Sequence, residues 1–480
     1  MRAKGYPMNK QIAYGSLALS LLLGGCTIGP DYVKPPMSAP EAFRDTNGTA
    51  SVQTQWWKGF NDPKLSEAVE TSLRANYDLH ASQARVDALL GKFDQAKSYL
   101  YPQINGNGSL TRKGVYDATG PNLREGVSST YAASLSLASY EIDLFGKVRR
   151  ANEAARALLL SSVYAKETLS LSVATAVAAS YFKLASLRSQ IELAKENLSI
   201  SRELYDMTGL KYRHGVIDES SYLQAESEYE SAKATLSQLE ASKIAEEAVF
   251  NVLLGRNPQG VQTAALESIA LPSVPAAIPS TLLARRPDVA SAEQDLVAAN
   301  AQIGIAKAAY FPSFKLTGML GVQSLELSDF VANPTKLWEI APSVSVPLFS
   351  AGRIAGEIKT AEAEYNATLS TYRKTVISAF NDTDSALGQN AKAAEQIAYQ
   401  HKRSEAIARA LKQAKLRYQV GSISYSEMLI VQQQWLSARQ SYLVAKQNGL
   451  TAAANLYKTL GGGWDEKISP LTLDYYPSGR

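Results

Sequence analysis

The 480-residue chain holds one cysteine, Cys26, and three histidines, His80, His214 and His401, in scattered contexts. A single cysteine excludes a disulfide within the chain, and no Cys/His set has zinc-ligand spacing. No nucleophile motif or phosphate-binding loop is present. The Gly-Asn-Gly at 106–108 lacks a strand-to-helix context and reads as a strand passing close to a neighbour. Charge is also scarce: the formal net charge is +4, and Arg2, Lys4 and Lys10 precede the first acidic residue. The remainder is close to neutral, and nothing in it suggests a nucleic-acid surface. Proline is missing from 122–257 and from 348–469. These absences point away from an enzyme and from a metal or cofactor site, while 45% hydrophobic residues are ample for a folded chain.

What is present begins with basic residues, an apolar run over 12–23 that is too short for a stable membrane span, and "LGGC" at 23–26. Residues 1–25 read as a signal peptide, with Met8 an alternative start to Met1. The "LGGC" resembles a bacterial lipobox, in which Cys26 becomes the acylated first residue of the mature chain. In that pattern Thr27, in place of Asp, implies sorting to the outer membrane.

The central feature is a duplication. "LKYRHGVIDE" at 210–219 returns as "LRYQVGSISY" at 416–425, an offset of 206 that also aligns Gly146 with Gly352 and Gly255 with Gly461. Upstream the offset is 210, matching "YDLHASQARVDA" from Tyr77 with "PDVASAEQDLVA" from Pro287, and Tyr101-Pro102 with Phe311-Pro312. The expected organisation is an extended segment 26–64, a first repeat 65–257, a proline-bearing connector 258–280, a second repeat 281–462 and a tail 463–480. Units this long are duplicated domains rather than solenoid repeats.

Long proline-free runs rich in Ala, Leu, Glu, Gln and Lys predict helices. One over 146–211 would be about 100 Å long, and ones over 219–254 and 77–100 about 54 and 35 Å, so one long helix faces two shorter ones in each repeat. Leu429, Leu436, Leu443, Leu450 and Tyr457, spaced by seven, predict left-handed supercoiling. The small residues at 173–180 allow close helix approach. A plain coiled-coil stalk satisfies the same periodicity.

Ahead of each long helix the period changes to two. Strand pairs are expected at 103–114 with 128–140, and at 313–322 with 340–349, each about ten residues long, the length a tilted strand needs to cross a bilayer. A soluble surface hairpin alternates in the same way. Tyr101, Phe311, Phe314, Trp338 and Phe349 fall near the strand ends, where an interfacial aromatic girdle lies. Four strands cannot close a barrel with a lumen, and each backbone group left unpaired in lipid costs several kcal/mol. Identical copies must therefore share one barrel.

Segments from "CTIGPDY" at Cys26 through "WWKGFNDPKL", "YEIDLFGKVRRA", "ARRPDVASAEQDLVAANAQIGIAKAAYFPSF" and "PLFSAGR" to "LYKTLGGGW" resemble, in that order, the outer-membrane factors of tripartite efflux systems, the TolC and NodT type of channel lipoprotein. The resemblance implies a mostly α fold with a membrane β-barrel. Three copies would form a twelve-stranded barrel, four strands per chain, continuous with a long periplasmic helical barrel and a mixed α/β equatorial collar. It also implies a passive gated exit duct for drugs or other toxic small molecules. The partners implied are a periplasmic adaptor (membrane fusion protein) and an inner-membrane pump of the RND type, with no cofactor.

By the same resemblance the two repeated turns are hairpin tips at the periplasmic mouth. The gate residues would be Tyr212, Gly215, Asp218 and Glu219 at the first tip and Tyr418, Gly421 and Glu427 at the second. Glu427 matches an acidic pore ring, and Ile430 stands where many members have a second acid; a solvated helix-face carboxylate is the plainer role for Glu427. Lys211 and Arg213 fit either adaptor contacts or solvated helix ends. A periplasmic adaptor lipoprotein is the alternative, but it would need one helical hairpin rather than two.

Overall fold

A computed structural model describes residues 27–40, 42–43, 54–116, 125–273 and 285–464. The signal peptide 1–25, Cys26, and parts of the connector and the C-terminal tail lie outside the described residues. The helices are α1 (Pro63–Ala75), α2 (Tyr77–Ser98), α3 (Lys147–Arg213), α4 (Glu219–Leu253), α5 (Pro287–Ala308), α6 (Leu327–Ala332), α7 (Arg353–Gln419) and α8 (Tyr425–Thr459). The strands are β1 (Ile104–Tyr116), β2 (Glu125–Ile142), β3 (Ser313–Ser324) and β4 (Thr335–Ser345). The helix lengths recur: α2 and α5 have 22 residues, α3 and α7 have 67, and α4 and α8 have 35. Most boundaries shift by two or three residues, and two differences are larger. The fourth strand occupies Thr335–Ser345 rather than 340–349, starting earlier than expected and ending two residues before Pro347, which has no N–H to give to a ladder. Within the segment expected to be extended, Trp56–Phe60 forms a turn of 3-10 helix.

The chain divides into two compact units. The first comprises Met1–Pro36, Val86–Ser162 and Ala292–Tyr372 and holds the sheet, an antiparallel meander in the order β1-β2-β3-β4. Its register places Ile104, Leu137, Gly318 and Ile340 in one row across the four strands, and Gly106, Leu135, Leu320 and Trp338 in the next. The intervening rows are Asn105, Ser136, Met319 and Glu339, then Asn107, Ser134, Gly321 and Leu337. Because side chains alternate across a strand, one face of the sheet is apolar and the other largely amide and hydroxyl. A register irregularity between Leu137 and Tyr140 keeps Tyr140 and Ile142 on the apolar face, opposite Leu316 and Phe314.

In this unit the segment after residue 27 is a strap held by α3 and α5. The Ile28 N–H donates to the Phe145 carbonyl at 3.0 Å, and Asn300 Nδ2 donates to the Pro30 carbonyl at 2.9 Å. Arg150, only 4% exposed, reaches Asp31 at 2.6 Å and Glu153 at 2.7 Å. A Cβ on Gly29 would lie 2.5 Å from the Cα of Gly304, so the two backbones meet where neither has a side chain. Lys34 ends the strap on Glu293 at 2.6 Å.

The second unit comprises Met37–Arg85, Val163–Ser291 and Arg373–Arg480. Its core is aromatic: Trp56 stacks on Tyr457 with ring centroids 5.8 Å apart, and Phe60 packs on Phe182 at 5.0 Å. The Tyr181 hydroxyl donates to Asp62 at 2.7 Å and accepts from the Ala264 N–H at 2.9 Å, which satisfies a buried phenol. Asp62 also caps α1, ahead of Pro63 at the first helical position, where a missing N–H is harmless. α3 is long and apolar enough to cross a membrane, but 61% of its apolar window is buried within the protein. Val173, Ala174, Val177 and Ala178 are buried there, the close helix approach that small residues permit.

Candidate channel wall and hairpin tips

Two features can serve a conduit. The first is the sheet. Its polar face carries Asn105, Asn107, Ser134, Ser136, Thr317, Gln323, Lys315 and Glu339, while the exposed side chains on the apolar face include Ile104, Leu135, Leu320, Trp338 and Ile340. Apolar outside with polar inside is the pattern of a lipid-embedded barrel around water. β1 and β4 are the sheet's two open edges.

The second is the pair of helical hairpins. At the first tip Gly215 takes φ +68, and at the second Gly421 takes φ +76, a left-handed conformation that glycine reaches at no steric cost. Asp218 is the N-cap of α4, accepting from the Ser221 N–H at 2.9 Å; those bonds hold its carboxyl below the usual carboxylate range. Glu219 opens α4. The second tip uses a capping box instead: Glu427 accepts from the Ser424 N–H at 2.8 Å, and the Glu427 N–H donates to Ser424 Oγ at 3.2 Å. These bonds likewise lower the Glu427 pKa. Glu427 is thus a capping residue that is also exposed and ionised. Its Ser-x-x-Glu pattern at 424–427 is readable from sequence.

The two tyrosines of the repeated turn differ. Tyr212 is partly exposed and stacks on Tyr222, 5.4 Å between centroids, in a run that continues through Tyr205 to Tyr229. Tyr418 is buried, lies edge-on to Tyr425, and has the Lys211 ammonium 4.4 Å above its ring. Lys211 therefore joins the hairpins to each other. Further links missed by sequence reasoning join α8 to α4 and α3: Ser426 to Gln224 at 3.4 Å and Gln433 to Glu228 at 3.5 Å on α4, and the buried Gln432 to Asn197 on α3 at 2.9 Å. Burial raises the Glu228 pKa, and burial together with the Glu228 charge pushes Tyr425 up to about 12. Cys26 lies outside the described residues, and among those residues no group of three His, Cys, Asp or Glu side chains could hold a metal ion.

A sheet segregated in this way, in a chain that also carries paired long hairpins, fits the class of outer-membrane efflux channels. The profile of the outer membrane efflux protein family matches residues 68–256 and 278–462, and the chain belongs to that family. It is 32% identical over 465 residues to the toluene efflux pump outer membrane protein TtgC of Pseudomonas putida, covering 94% of this chain and 96% of that one. It is 29% identical over 457 residues to the cation efflux system protein CusC of Escherichia coli, covering 93% and 98%. Among solved structures, the open state of the Neisseria gonorrhoeae MtrE outer membrane channel superposes with a TM-score of 0.82 at 30% identity, covering 91% and 98%. The outer-membrane channel OprN superposes with a TM-score of 0.84 at 28% identity, covering 92% and 100%. The protein is an outer-membrane efflux channel.

Proposed function

We propose that three copies close their sheets into one twelve-stranded barrel and act as a passive, gated exit duct, without catalysis. A periplasmic adaptor and an inner-membrane pump of the RND type would deliver the cargo. The observation that carries this reading is the segregation of the sheet, whose register leaves apolar rows on one face and amide and hydroxyl rows on the other. Few charges line the polar face, so the wall discriminates weakly and the pump selects the cargo. Small organic toxicants are the proposed class, in keeping with the toluene pump relative. Repeat boundaries at 65–257 and 281–462, and acylation of Cys26, belong to the same proposal.

The gate is assigned to Tyr212, Gly215, Asp218 and Glu219 with Tyr418, Gly421 and Glu427. Three Glu427 carboxylates around a narrow mouth would favour cations. The test is conductance of the purified protein in planar bilayers together with toxicity after deletion of this gene alone. We expect a water-filled conductance whose cation preference falls in Glu427→Gln, and increased sensitivity to small organic compounds. Absence of conductance from a detergent-independent monomer would overturn the duct, and unchanged selectivity would overturn the acidic ring.

A further inference from the structure

Where the strands pass into the helices, the first compact unit holds a recess of about 900 Å³, walled by α5, the opening turns of α7 and the segment joining β2 to α3. Two observations fix the side on which it opens. Glu141, Ser313 and Ser345 line it, and the ladder sets Glu141 opposite Lys315 and Ser313 opposite Ser345, all on the polar face of the sheet. On α5, Glu293, Asn300 and Gly304 hold the strap, whereas Gln302, Ile305 and Ala306 line the recess. At about 100° of turn per residue those two sets point in opposite directions. The recess therefore opens on the polar side of the wall, away from the strap.

Four carboxylates and two bases line it, and three of the carboxylates are already matched. Lys147 lies 3.5 Å from Glu141, Arg149 3.3 Å from Asp143, and Arg353 2.6 Å from Glu357. Glu364 is exposed and has no ion-pair partner among the described residues. One turn before it on α7 stands Ala361, and α5 offers Ile305, Ala306 and Ala309 to the same space. A free carboxylate at one end and an apolar wall beside it complement a molecule with one positive charge and a hydrocarbon body. One free carboxylate is too few oxygens for a hard metal ion, and the excess of acids disfavours anions. The volume is in the range of sites that take drug-sized ligands.

We propose that this recess is a station for amphipathic organic cations in transit, with the ammonium at Glu364 and the apolar body over Ile305, Ala306 and Ala361. The proposal deepens the exit-duct reading above and rests on it. Because Glu364 stays in water, its attraction is screened and the hold is brief, as a conduit requires.

The test is protection of an introduced thiol in native trimers, with the parent chain, whose one cysteine is Cys26, as background. Thr360→Cys places the thiol in the recess, and Asn105→Cys places it on a polar row of the sheet. Both are treated with a cationic methanethiosulfonate reagent in the presence of 4-phenylbutylammonium or the neutral 4-phenylbutanol. The ammonium should slow modification at Thr360→Cys and leave Asn105→Cys unaffected. The concentration giving half protection should rise about three- to five-fold on adding Glu364→Gln, and equally when the alcohol replaces the ammonium, the scale of one exposed charge pair. Ala306→Leu, which fills the recess and keeps the charge, should remove protection. Equal protection by the alcohol and the ammonium would overturn the cation assignment. No protection at Thr360→Cys, or the same protection at Asn105→Cys, would overturn the recess as a site. Modification at neither position in native trimers would overturn the water-filled duct itself.

Discussion

The two repeats solve one joint with different side chains. In the first, Asn76 Nδ2 donates to the Leu253 carbonyl at the end of α4, at 2.9 Å, while its Oδ1 caps α2 through the Asp78 N–H, also at 2.9 Å. In the second, the equivalent residue is Arg286, which reaches the Thr459 carbonyl at the end of α8 at 3.4 Å and the Ala379 carbonyl at 3.3 Å. It is also paired with Asp288 at 2.6 Å. The glycines are shared: a Cβ on Gly255 would lie 2.1 Å from the Ala75 carbonyl oxygen, and one on Gly461 2.5 Å from that of Arg285. Backbone geometry was kept through the duplication while the polar partner diverged from an amide to a guanidinium. The return helices diverged further. α8 buries Met428, Trp435, Tyr442, Leu443 and Leu450, whereas α4 buries only Ala225, Ala232, Phe250 and Asn251.

The largest contrast should be between those return helices. Trp435→Ala is expected to cost about 3–5 kcal/mol by opening a cavity. Its repeat counterpart, Tyr229→Ala, should cost about 1 kcal/mol through a lost aromatic stack, both read from unfolding midpoints in detergent. Equal losses would show that α4 is as much a core helix as α8. Next, Arg286→Ala should cost about 2–3 kcal/mol, below a fully buried pair because Asp288 is partly exposed. Asn76→Ala should cost about 1–2 kcal/mol as a lost cap.

Smaller and equal on both sides, Gly255→Ala and Gly461→Ala should each cost about 2 kcal/mol, since both force a side chain into a left-handed backbone against a carbonyl. A clear inequality would mean that one joint can yield. The smallest effect is at the tips. The depressed Asp218 and Glu427 carboxylates stabilise their caps at neutral pH and lose that contribution as pH falls through their folded values, below the ordinary carboxylate range. Glu228, raised by burial, works the other way: burying its carboxyl costs least in acid, and that cost appears as pH rises through the raised value and the group ionises. Amide exchange at the tips between neutral and acidic pH reads both, and Glu427→Gln should abolish the acid response at the second tip alone.

The helices were legible because proline is missing where they run and because the offsets of 206 and 210 carry one set of boundaries onto the other. Strand faces were legible from period two. The strap was not: "CTIGPDYVKP" has no periodicity, and Arg150 lies 119 residues from Asp31. Nor was the buried Gln432, since three successive glutamines at 432–434 give no sign of which one turns inward. The fourth strand was carried too far at its end because the alternation at 343–348 continues past Ser345, and its start at Thr335 was missed because Lys336 and Leu337 break the alternation.

The strap also bears on how the chain tolerates loss from its front end. Residues 28–34 stitch α3 to α5, one from each repeat, through Arg150, Asn300, Gly304 and Glu293. Stepwise deletion from this side should therefore show a sharp drop once Ile28 to Tyr32 are removed, rather than a gradual decline.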